Sequence, residues 1–128
     1  MDIRKFSVSE SGTVQIKDAA GELIPGVEID VWSPGSKEFA RAQARNQGRI
    51  MARLRKKSAE VSADQKIAEE AEYLADITKE FRGVDYDKLI GRDLHLAVYK
   101  DKTLGFIADQ VAAFVGDWAN FTQGSKQS

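Results

Sequence analysis

The chain has 128 residues, a formal net charge of −1 and no cysteine. That length holds one core without cross-links, and the missing thiols exclude a disulfide, a thiolate nucleophile and a cysteine zinc site. No run approaches the ~20 apolar residues of a membrane-spanning helix, and the first residues lack the apolar stretch of a signal peptide, so a cytosolic protein with no membrane partner is expected.

Residues 13–17, Thr-Val-Gln-Ile-Lys, alternate apolar and polar as a half-buried strand does. Asp18-Ala-Ala-Gly21 reads as a turn, Glu22-Leu-Ile runs into Pro25-Gly26, and residues 27–32 alternate again with Val27, Ile29 and Val31 on one face. The expectation is a small antiparallel β-element of two or three strands within residues 12–32, resting its apolar face on helices or on a partner.

Ser33-Pro34-Gly35-Ser36 ends the strand and offers two N-cap serines, with Pro34 suited to a first helical position. The helix expected over residues 36–57 has a thin apolar side of Phe39, Ala42, Ile50, Met51 and Leu54. It also carries Arg41, Arg45, Arg49, Arg53 and Lys57, a basic residue at every fourth position. Eight Lys or Arg against Glu38 give residues 37–57 a charge of +7. Gly48 in the interior predicts a bend or a close helix contact.

Ser62 and Gln65 form a capping-box pattern ahead of a second helix over 63–81, which buries Ile67, Ala71, Leu74, Ile77 and Phe81 and ends at Gly83 as a left-handed C′ glycine. Six acids lie along 62–81, Asp64, Glu69, Glu70, Glu72, Asp76 and Glu80, so two neighbouring helices have opposite sign. Asp93 is placed as the cap of a short helix over 93–100. The last helix, 103–121, is expected to start at Thr103 and to bury Leu104, Ile107, Val111, Phe114, Trp118 and Phe121, spaced by three and four. Residues 122–128 read as a loose tail. The fold class is α+β, mainly α: the N-terminal β-element followed by about four helices in one domain over 1–121.

Few residues invite catalysis. His95 is the one histidine, too isolated for a metal site or an activated base, and no glycine pattern cradles a phosphate, so no cofactor, metal or catalytic residue is assigned. The basic stripe could neutralise phosphates, but it equally fits an antiparallel hairpin with the acidic helix or a protein partner. The absence of interleaved aromatics and the near-zero net charge weigh against nucleic acid, which stays as the alternative over Arg41 to Lys57. Candidate partner contacts are Phe39, Ile50, Met51 and Leu54 with Arg41, Arg45, Arg49, Arg53 and Lys57. Self-association through sheet edges or this helix stays open. Asp117 and Asn120 are three apart and suit local capping.

Gly83-Val84, followed by the run from Leu104 to Phe121, resembles the C-terminal half of tail assembly chaperones of long-tailed bacteriophages and prophages. The likeness lies in an "Ile-x-x-Gln-Val" helix ending in "Asp-x-x-Asn-Phe", here Ile107, Gln110, Val111, Asp117, Asn120 and Phe121, with Trp118 inside the second motif. Val31-Trp-Ser-Pro-Gly-Ser-Lys-Glu-Phe39 is similar to the family's strand and Ser-capped helix, whereas Phe81 stands where many relatives carry tryptophan. The resemblance covers about residues 27–121 and implies a non-enzymatic protein of phage morphogenesis. Such a protein binds the long tape measure protein, helps recruit tail tube subunits, acts in the cytoplasm of the bacterial host and is not expected in the mature virion.

Overall fold

A computed structural model describes residues 1–56 and 62–122. Strands β1 (Ser11–Lys17), β2 (Leu23–Trp32) and β3 (Thr78–Arg82) form an antiparallel sheet in the order β1-β2-β3. Among the described residues there are four α-helices, α1 (Lys37–Arg55), α2 (Ala63–Ile77), α3 (Gly91–Lys100) and α4 (Gly105–Val115), and short 3-10 turns at Ile3–Phe6, Lys102–Leu104 and Trp118–Phe121. The α+β, mainly helical class expected from the sequence is the one observed.

The alternation in β1 and β2 has the expected effect. Val14, Ile16, Ile29 and Val31 point to one face and are buried; helix α4 packs on β1 and β2, while α2 and α3 pack on β3. On the other face Arg82 of β3 pairs with Glu28 and Asp30 of β2, and the Thr13 hydroxyl donates to Asp30 at 2.6 Å. Burial pushes the Asp30 carboxyl up, but the bonds from Arg82 and Thr13 outweigh it and hold it below the usual range. The hairpin turn is the predicted one: Asp18 accepts from the N–H groups of Ala20 and Glu22 beside Gly21, whose φ is +90°.

The third strand comes from an unexpected place. Helix α2 stops at Ile77 rather than reaching residue 81, because Thr78 turns extended and its hydroxyl donates back to the Leu74 carbonyl, closing the helix end. The backbone then pairs with β2, and Phe81 lies flat on His95 at 4.4 Å and edge-on to Tyr99. Gly83 follows a strand, not a helix. Its φ of +75° and its approach to Gly26, where a Cβ would lie 2.1 Å from the carbonyl oxygen, leave room for hydrogen only.

The last helix is also shorter than its apolar spacing suggests. Thr103 does not cap it: Asp101 accepts from the Thr103 N–H and hydroxyl and opens a 3-10 turn that leads into α4. The helix breaks after Val115, and Asp117 caps a separate turn that folds Phe121 back over Gly12 of β1. Ile107, Val111 and Phe121 are buried and Leu104 and Phe114 half-buried, but Trp118 is 56% exposed. Helix α3 begins at Gly91 without a side-chain cap, which places Asp93 inside its first turn. Thr122 bridges to Val8; residues 123–128, most of the expected tail, lie outside the described residues.

Candidate partner-binding surface

Helix α1 is capped by Ser36, whose hydroxyl oxygen accepts from the Phe39 N–H at 3.1 Å; Pro34 stays in the turn before it. The capping box at Ser62 and Gln65 starts α2 as expected. The two helices run antiparallel, and the basic stripe meets the acidic one in register. Arg45 lies 3.5 Å from Asp76, Arg49 lies 3.2 Å from Asp76 and 3.4 Å from Glu72, and Arg53 donates to Glu69 at 2.7 Å. Each step of four along α1 thus finds a carboxylate three or four residues earlier on α2, which is how antiparallel helices present their flanks.

This ladder sorts the candidate contacts. Phe39 is in the core, edge-on to Tyr73, and Ile50 is half-buried, so neither offers a free apolar surface. Arg45, Arg49 and Arg53 are engaged with α2. Met51 and Leu54 point away from it, 49% and 57% exposed, and Arg41 is exposed on the outer side with no ion pair among the described residues. Lys57 lies outside the described residues. Gly48 lies within the continuous helix and makes no close helix contact: a Cβ there would meet nothing within 4 Å, so the helix surface is open at that point.

Arg55 and Lys56, part of the +7 charge of the segment though outside the four-residue stripe, are exposed at the same end of α1; sequence reasoning missed Arg92 of α3, which donates to Asp76 at 2.5 Å. Nothing local marks Arg92, since its partner is on another helix. Also unforeseen are the exposed apolar residues Ile3, Phe6 and Ile90.

The residues that carried the family resemblance have structural roles here. Gln110 clamps the end of β1, accepting from the Lys17 N–H at 2.8 Å and donating to its carbonyl at 2.7 Å. Asn120 donates to the Phe114 carbonyl at 2.9 Å and Asp117 accepts from the Ala119 N–H at 3.0 Å, the local capping their spacing suggested. Gln110 and the contact of Ser9 with the Phe121 carbonyl close both ends of the outer edge of β1.

His95 is buried against Phe81, and burial, then the nearby Arg92 charge, hold its imidazole below the ordinary range. A hollow of about 170 Å³ is lined by Ile67 of α2, Tyr99 of α3 and Ala108 of α4, and His95 is not among its lining residues. Among the described residues no group of three or more His, Cys, Asp or Glu could hold a metal ion, and no helix is long and apolar enough to cross a membrane. Comparison with family models, curated proteins and solved structures finds no match for the chain.

Proposed function

We propose that the protein is a non-catalytic tail assembly chaperone of a long-tailed phage or prophage, which binds the tape measure protein and helps bring tail tube subunits to it in the host cytoplasm. The observation that carries this reading is the outer face of α1. The helix leans on α2 through ion pairs, and this leaves Met51 and Leu54 exposed near its end, with the exposed Arg55 next to Leu54 in the chain. An exposed amphipathic helix of this kind suits groove-type contact with another helix, and a long helical tape measure protein offers many such faces. The order of the motifs from Val31 to Phe121 supports the choice of family.

The alternative, binding of nucleic acid, draws on the same cations. Three guanidiniums of the stripe already face carboxylates, and Glu69, Glu72 and Asp76 would lie beside any phosphate backbone placed there. Capture of a polypeptide is therefore the better reading.

Co-expression with a tape measure protein of a long-tailed phage tests it. The wild-type chain should co-purify with that protein, and Met51→Asp with Leu54→Asp should lose most of the complex while the circular dichroism spectrum and melting temperature stay unchanged. No complex with the wild-type chain would overturn the function. Full capture by the double variant would remove this face from it.

A further inference from the structure

Asp76 has an unusual set of neighbours. Its side chain is 3% exposed, yet three guanidiniums from two helices converge on it: Arg92 on one oxygen at 2.5 Å, with Arg45 at 3.5 Å from the same oxygen, and Arg49 on the other oxygen at 3.2 Å. Glu72 is the one further carboxylate in the cluster, 3.4 Å from Arg49 Nε but outside hydrogen-bonding geometry. Three cations therefore share two anions, and the donors greatly outnumber the acceptors. Among the described residues Arg45 is held by its ion pair alone and Arg92 by one hydrogen bond, and both side chains are about half exposed, at 56% and 47%.

We propose that the half-exposed guanidiniums of Arg45 and Arg92, which converge on Asp76, together bind a carboxylate of a partner polypeptide, an Asp or Glu side chain carried on a helix. A carboxylate laid across the two guanidiniums would meet planar donor forks of matching geometry and relieve the repulsion between two like charges drawn to one oxygen. The site carries one excess positive charge, enough for one carboxylate. A nucleic-acid strand fits less well, because its phosphates on either side of the first would run past Glu72 and Glu69. A symmetric pairing of two copies through α1 is also disfavoured, since each α1 would bring its own surplus of arginines to the contact. The proposal rests on the polypeptide-binding reading above and adds the chemistry of the partner.

Two measurements on the full chain test it. In arginine Nε–Hε NMR spectra, sodium acetate should shift the Arg45 and Arg92 signals saturably, and sodium chloride at equal ionic strength should not. In fluorescence anisotropy, a synthetic amphipathic helical peptide with Leu on one face and Glu on its flanks should bind, and Arg45→Gln with Arg92→Gln should weaken it about tenfold, the worth of one charge-assisted contact. The same peptide with Gln for Glu should bind the wild-type and variant proteins alike. Arg45→Gln alone leaves Asp76 two guanidiniums and should give a smaller loss in the same direction if the double variant does not fold. Equal shifts with acetate and chloride, undiminished peptide binding by a folded variant, or a single-stranded oligonucleotide that depends on Arg45 and Arg92 where the acidic peptide does not, would overturn the proposal. Failure here leaves capture through Met51 and Leu54 standing. Loss of tape measure capture with carboxylate binding intact would sink the earlier reading alone.

Discussion

Removing one rung of the ladder should show that the basic stripe belongs to the helical hairpin. Arg53 and Glu69 are the closest of its α1–α2 pairs at 2.7 Å, and each side chain is 23% exposed. For unit charges about 4 Å apart at an effective dielectric of ~20 the gross attraction is about 4 kcal/mol. Desolvation of both groups and the ordering of two long side chains cancel most of this, leaving a net coupling of about 1 kcal/mol, at the upper end for pairs near the surface. The assay is a double-mutant cycle in urea with Arg53→Gln, Glu69→Gln and the two combined. In low salt the coupling should be about 1 kcal/mol, and it should shrink in 1 M salt, where the screening length falls to about 3 Å. A coupling indistinguishable from zero in low salt would refute the ladder and return the stripe to solvent, where a polyanion could reach it.

Three further substitutions test the packing around it. Gly83→Ala should cost about 1–3 kcal/mol in urea denaturation, because the new Cβ meets the Gly26 carbonyl and the positive φ disfavours it; an unchanged midpoint would contradict that approach. Phe121→Ala should cost about 3–5 kcal/mol, since the ring is 1% exposed and packs on Gly12 and Phe114; a loss under about 1 kcal/mol would mean the terminal turn does not seat in the core. His95 has a folded-state pKa below its unfolded value of about 6.5, so its contribution is present above that pH and is lost as pH falls from there through the folded value. His95→Gln should flatten this part of the stability profile, and an unaltered slope would place the titration elsewhere.

The sequence was most legible where one local signal determines one local structure. The period-two runs of β1 and β2, the turn at Asp18, the box at Ser62 and the opposite charges of α1 and α2 each act over a few residues, and each is found in the fold. It was least legible where a distant partner overrides a local preference. Thr78-Lys-Glu-Phe-Arg82 contains no helix breaker, and it becomes a strand because β2 has a free edge and Phe81 has His95 and Tyr99 to pack on. The three-and-four spacing from Leu104 to Phe121 runs through a break at Gly116, and the 3-10 turn capped by Asp117 that follows buries Phe121 and leaves Trp118 exposed. The candidate surface was half legible. Charge spacing pointed to α1, but which arginines remain available depends on where Asp76, Glu72 and Glu69 lie across the hairpin, and the role of Arg92 depends on α3 being folded against α2.

Hydrogen–deuterium exchange on the chain with and without a tape measure protein, the proposed partner, tests the central claim most directly. Exchange should slow along α1 around Met51 and Leu54, and the outer face of the sheet around Arg82 should exchange as in the free chain. Unchanged exchange along α1, with protection confined to the sheet or to the turn around Trp118, would contradict the account.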